Sequence, residues 1–145
     1  MARKWVKFPH PDKAYAYDSA GLKKRWARLH KGDGEPFPRD DAVVDAWRHF
    51  HAGDFGQAVA AGSKAGGGGV NAAVKAQVVY AIYLEKAEKA KLALLEEAAG
   101  IADEHRRAAP KDANAHYLYA FALGRYSQGI SVAKALAQGF GTKIR

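Results

Sequence analysis

Apolar residues recur every three or four positions along this chain, and strand-type alternation is nearly absent. That period predicts helices almost throughout. A first helix is expected from near Asp12 or Ser19 to His30. Leu22, Trp26 and Leu29 share one face, with Lys23, Lys24, Arg25 and Arg28 on the other. Gly32 is expected to stop it by taking the left-handed conformation. "GDGEPFPRD" (Gly32 to Asp40) reads as a linker, because its two prolines favour an extended path.

Asp40 or Asp41 should cap a second helix reaching Ala52, with Val43, Trp47 and Phe50 along one face. Gly53 ends it, and Asp54 can cap a third helix from Phe55 to near Ala65. "AGGGGV" is a loop. Asn71 is expected to open a fourth helix through about Glu85. "EKAEKAK" (Glu85 to Lys91) is a charged turn or junction. A fifth helix runs to Ala108 and is closed by Pro110. Asp112 should cap a sixth, Ala113 to about Tyr126. The remainder, "YSQGISVAKALAQGFGTKIR", is glycine-punctuated and predicts only one short helix around Val132 to Gln138.

Two stretches repeat one pattern. "WARLHKGD" (Trp26 to Asp33) and "WRHFHAGD" (Trp47 to Asp54) both read W-x-x-[Leu/Phe]-H-x-G-D. A histidine in a last helical turn meets the negative end of the helix dipole, and an aspartate after the glycine can cap the next helix. Architecture therefore explains both pairs without a metal. His49 and His51 diverge by about 200° around a helix. No HExxH and no i, i+4 histidine pair is present, so no metal site is expected.

Two longer stretches share a helix-hairpin pattern. "AWRHFHAGDFGQAVAAGSKA" supplies the small Ala46, the turn Gly53-Asp54-Phe55, then Ala58 and Ala65. "APKDANAHYLYAFALGR" supplies Pro110, then His116, Tyr119, Ala120 and Leu123. In these residues the chain resembles the tetratricopeptide repeat (TPR) family, in degenerate form over roughly residues 39–126. That unit is about 34 residues, two antiparallel helices A and B. Gly62 stands where the family has an aromatic and Val70 where it has proline. The two registers start at Arg39 and Ala113. They differ by two units plus the six extra residues that fit the charged junction.

The resemblance implies an all-α superhelix of about three helical hairpins. It divides the chain into 1–38 (basic arm, first helix and Pro-rich linker) and 39–145 (TPR-like repeat domain). The third hairpin lacks a clear helix B. A following hairpin, a neighbouring copy or the short Val132 to Gln138 helix would have to supply it. Helix A lines the groove in this family, which maps groove positions onto Asp40, Val43, Trp47, Phe50 and His51, and onto Asn114, Tyr117, Phe121 and Arg125. The implied function is a non-enzymatic scaffold that binds a protein segment in this aromatic groove or assembles with itself. The arm "KWVKFPHP" (Lys4 to Pro11), carrying Trp5 and Phe8, is a candidate to lie across that groove.

Charge opens a second reading. The 145 residues carry a net +8. Residues 1–31 hold nine Lys/Arg against Asp12 and Asp18, or +7, and the rest hold fourteen against thirteen, or +1. Arg3, Lys4, Lys7, Lys23, Lys24, Arg25 and Arg28, with Trp5, Phe8, Tyr15 and Tyr17 interleaved, could hold phosphates and stack bases. The alternative function is thus a nucleic-acid- or anion-binding adaptor.

Other chemistry is sparse. There is no cysteine, which removes disulfides and thiolate ligands. "GGGG" (Gly66 to Gly69) and "GFGTK" (Gly139 to Lys143) lack P-loop spacing. Ser19, Ser63, Ser127 and Ser131 sit in no nucleophile elbow. Glu96, Glu97, Asp103 and Glu104 lie on a helix rich in Lys and Arg, as surface support. No enzyme and no cofactor is expected. No apolar run reaches the ~20 residues of a membrane helix, and the N-terminus has no secretory h-region. The expectation is a cytoplasmic protein without membrane attachment.

Overall fold

Residues 5–9 and 13–137 are described in the computed structural model. They form an all-helical bundle: α1 (Ser19–Leu29), α2 (Asp41–His51), α3 (Phe55–Ala65), α4 (Gly69–Tyr83), α5 (Glu88–Ala108) and α6 (Ala113–Ala137), after a short 3₁₀ turn at Lys13–Tyr15. No strand occurs among the described residues. No helix among them is long and apolar enough to cross a membrane.

Local chemistry sets most boundaries. Asp18 caps α1 by accepting from the Gly21 amide at 2.7 Å. Asp40 caps α2 through the Ala42 amide at 2.9 Å. Asp112 caps α6 through the Asn114 and Ala115 amides at 3.0 and 3.3 Å. Each aspartate satisfies donors that a helix start leaves unpaired. Gly53 ends α2 in the left-handed region, at φ 80.

Each helix packs on the next in order from α2 to α6, and α2 and α6 also touch α4. α4 is therefore central. Its sequence agrees, since Lys75 is its one charged residue and a helix apolar all round is a buried helix. Val74, Val78 and Tyr80 of α4 meet Leu94, Leu95 and Ala98 of α5, Leu118 and Ala122 of α6, and Phe55 and Ala58 of α3. A second cluster joins Leu22 and Trp26 of α1 to Val43, Val44, Ala46 and Trp47 of α2 and Ala72 of α4.

Four expectations are corrected. Gly32 does not stop α1. His30 is its C-cap, and Gly34 takes the left-handed conformation (φ 62), its amide donating to the His30 carbonyl at 2.7 Å. Asn71 does not open α4, which starts at Gly69; its side chain points into a buried polar cluster instead. The tail after Tyr126 is not a loop with one short helix. α6 runs unbroken to Ala137, through Gly124 and Gly129, because Gly129 lets Leu92 of α5 approach where a Cβ would overlap it. Gln138 and the residues after it lie outside the described set.

The arm does not cross the helix-A face. Trp5 and Phe8 pack against the α2–α3 turn, over Gly56 and Gly53.

Gly62 of α3 has a packing reason for replacing the aromatic that the repeat pattern expects. A Cβ there would overlap the Gly69 carbonyl oxygen, and a Cβ at Gly69 would come 2.7 Å from the Gly62 carbonyl oxygen. The α3 and α4 backbones touch with no side chain between them.

Trp26 is the wedge of the second cluster, so Trp26→Ala should cost ~3–5 kcal/mol in a denaturant titration, as large aromatic truncations do. A loss under about 1 kcal/mol, the range of surface substitutions, would show that α1 is held by something else.

Candidate functional site: a buried polar junction and an aromatic face

The two repeated motifs meet. His30, at the end of α1, and His51, in the last turn of α2, face each other with their Nε2 atoms 2.8 Å apart. They are not two copies of one device. His30 Nδ1 donates to Asp33 at 3.0 Å, whereas His51 makes no such pair with Asp54. Asp54 lies 3.8 Å from His49, and its side chain caps nothing.

The junction extends through the linker. Asp33 accepts from Lys75 Nζ of α4 at 2.9 Å and from the Glu35 amide at 3.0 Å. The Glu35 carboxylate accepts from Asn71 of α4 at 3.2 Å and from Asn114 of α6. Asn71 also donates to Asp112 at 2.9 Å. The Glu35 carbonyl accepts from the Trp26 indole at 2.6 Å. The indole in turn stacks on His30 with ring centroids 3.8 Å apart. The linker is thus a strap laid over α4 and onto the start of α6.

The proton positions follow from these contacts. An ionised carboxylate only accepts, so His30 Nδ1 carries the proton it shares with Asp33. Neutral His30 then offers a lone pair at Nε2. His51 Nε2 donates to it, which leaves His51 Nδ1 as an acceptor.

Burial enforces this neutral state. It lowers the His30 pKa, against the opposing pull of Asp33. Burial, then the neighbouring His30 and Lys75, lowers His51 to about 4. For Asp33, burial works upward, but the Glu35 amide and Lys75 outweigh it and the pKa falls. Glu35 moves up, chiefly by burial and despite its two asparagine donors.

The nine residues expected to line the groove separate into two sets. Val43 and Trp47 are core, 6% and 1% exposed, because α1 lies over them with the Trp26 and Trp47 rings 5.8 Å apart. They are not available to a partner in this fold. Asp40 is spent as a cap. Phe50 and His51 are half-buried beside Lys75, whose Nζ lies 5.4 Å from the Phe50 ring centre.

Of the α6 set, Tyr117 and Arg125 are exposed, and Asn114 and Phe121 are half-buried. Tyr117 is 53% exposed and stacks on Phe121 at 5.9 Å, with the Arg125 guanidinium 5.6 Å from the Phe121 ring centre. Asn114 starts the same row. A cleft of about 500 Å³ opens beside it, lined by Leu29, Gly32, Asp33, Lys75, Asn114 and Tyr117.

The basic residues are also outward. Lys7 on the arm and Lys23, Lys24, Arg25 and Arg28 on α1 are all exposed, while Arg3 and Lys4 lie outside the described residues. Among the described residues, no group of three or more His, Asp or Glu side chains is arranged to hold a metal. Set against family models, curated proteins and solved structures, the chain matches none of them.

Sequence reasoning missed Glu35, Asn71 and Lys75. Two of them carried a signal: with Gln77, Asn71 and Lys75 are the polar positions of a helix otherwise rich in apolar residues. Glu35 carried none, because its burial depends on where the strap lands.

The histidine pair makes stability depend on pH. Free histidine titrates near 6.5, and His51 in the fold near 4. Between these values the unfolded chain binds more protons, so stability is lost as pH falls from about 6.5 through 4. Raised Glu35 works the other way, its contribution falling as pH rises above 4.5. His51→Phe should therefore flatten the drop in denaturant midpoint between pH 7 and pH 5. An equally steep drop in the variant would exclude the pair as its cause.

Proposed function

We propose that this chain is a non-enzymatic interaction module of TPR-like helical hairpins. It binds an extended protein segment along the α6 face, or a copy of itself. The observation that carries the reading is the row Asn114, Tyr117, Phe121 and Arg125, with its stacked aromatic pair at the surface beside the cleft. Exposed tyrosine and arginine next to an apolar ring are the residue types that dominate binding energy at interfaces. The order of packing is compatible with the repeat reading: α2 with α3, α4 with α5, and contacts of α2 and α6 with α4. The strap narrows the groove. With α1 over α2 and the strap over the start of α4 and Asn114, the α6 face from Tyr117 onward is the part left for a partner.

The test separates binding from stability. Tyr117→Ala with Phe121→Ala should remove co-purifying proteins from a nuclease-treated native extract. Thermal stability should stay within about 0.5 kcal/mol for the exposed tyrosine. Retention of the same proteins by the double variant, still folded, would end the α6 reading.

A specific observation favours a second reading. Lys23, Lys24, Arg25 and Arg28 all stand exposed on α1, with Lys23 and Arg25 over the Phe37 and Tyr17 rings, a basic surface suited to a phosphate backbone. Reversing Lys23, Lys24 and Arg25 to Glu should abolish binding to a generic single-stranded oligonucleotide and flatten its salt dependence, since each phosphate contact adds about 0.7 to the slope. An affinity of the wild type that does not change with salt would rule this reading out.

A further inference from the structure

A hollow of about 630 Å³ lies between the first half of α5 and the last turns of α6, at the end of α6 away from the strap. Its floor is the contact of Leu92 with Gly129, where a Cβ on the glycine would overlap the leucine. Ile82, Leu95, Val132 and Leu136 form its walls. Val132 is 55% exposed and Leu136 63%. Positions 125, 129, 132 and 136 follow the spacing i, i+4, i+7, i+11, which is one side of a helix. Large apolar side chains grouped on an exposed helix face beside a hollow mark a contact surface.

The rim of the hollow is charged at its two ends. α5 and α6 are antiparallel, with Leu92 beside Gly129, so Arg125 stands at the Leu95 end and Glu88 at the Leu136 end. Glu88 is then level with Ala133, eight residues or roughly 12 Å along α6 from Arg125. Arg125 lies 5.6 Å from the Phe121 ring centre and meets no carboxylate among the described residues. Glu88 meets Lys91 at 3.5 Å, but its side chain is 77% exposed and has room for a second cation.

These charges match each other when the surface meets a copy of itself. A twofold contact puts residue i on j and j on i. With the axis crossing the groove at Gly129, antiparallel pairing brings Arg125 of one copy level with Glu88 of the other, twice. Parallel pairing would set Arg125 beside Leu95 and match neither charge. Nor does α6 alone suffice, since it carries no acidic residue. The carboxylate has to come from the neighbouring α5, where Glu88 stands.

We propose that this groove is a homodimer surface, in which α6 of each copy lies antiparallel in the groove of the other, Arg125 against Glu88, with Val132 and Leu136 covered. The proposal rests on the self-assembly half of the proposed function and gives it a surface separate from Tyr117 and Phe121. The contact is about three helical turns long. That is the small end of specific interfaces, so association is expected in the micromolar range and not tighter.

The full chain should show a light-scattering mass that rises from one chain toward two through the micromolar range. Val132→Asp with Leu136→Asp should keep it monomeric, and both sites are exposed, so the thermal midpoint should hold. Arg125→Glu alone, or Glu88→Arg alone, sets like charges face to face and should weaken association by about tenfold or more. Combining the two reversals should restore it, which no loss of folding would do. Tyr117→Ala with Phe121→Ala should leave the dimer intact, so failure of the α6-row reading stays separate from failure here. A chain that remains monomeric throughout overturns the proposal. So does a dimer that survives Val132→Asp with Leu136→Asp, or one that the double reversal does not restore. Dimerisation only after removal of residues 138–145 would make the chain's own tail the occupant, and overturns it as well.

Discussion

The indole of Trp26 is the contact on which most of this structure depends. One face lies on His30, one edge meets Trp47, another meets Phe37, and its N–H donates to the Glu35 carbonyl. One side chain therefore binds α1 to α2, orients the first histidine and pins the strap. Tryptophan suits this position because it combines a large apolar surface with a single donor that needs a partner when buried. The burial of Trp47 is a consequence. Trp47 becomes the floor under α1.

The strap then converts a helical array into a polar junction. Its aspartate, glutamate and preceding histidine meet a lysine, two asparagines and a second histidine from three other helices. Nearly every member has a partner, which a network at this depth requires, since an unpaired buried polar group is costly. Its charges are unevenly settled. Asp33 is ionised and paired, Glu35 is held where ionisation is disfavoured, and the two histidines share one proton between facing nitrogens. Near neutrality the histidines and Asp33 favour the junction, and buried Glu35 opposes it.

Much of the helical layout was legible from period and caps. Asp40, Gly53 and Asp112 do locally what their types predict. Local rules failed where tertiary contact decides. Gly129 reads as a breaker until Leu92 is set against it. Asn71 reads as a cap until Glu35 and Asp112 come within reach. The repeated W-x-x-x-H-x-G-D pattern reads as two equivalent helix ends. Only the fold shows the two histidines touching, and that only one of them keeps its aspartate.

Gly62 and Gly69 carry a further consequence. Most crowded positions can be rescued when a neighbouring side chain is trimmed. Here the obstacle facing a new Cβ is main chain on both sides, and no second-site change in a side chain removes a carbonyl. The remaining response is for α4 to move as a body. Such a move would carry Asn71 away from Glu35 and Lys75 away from Asp33. Two residues without side chains, outside the polar junction, therefore act as its alignment gauge. Mutational drift at either would register first as a loosened strap.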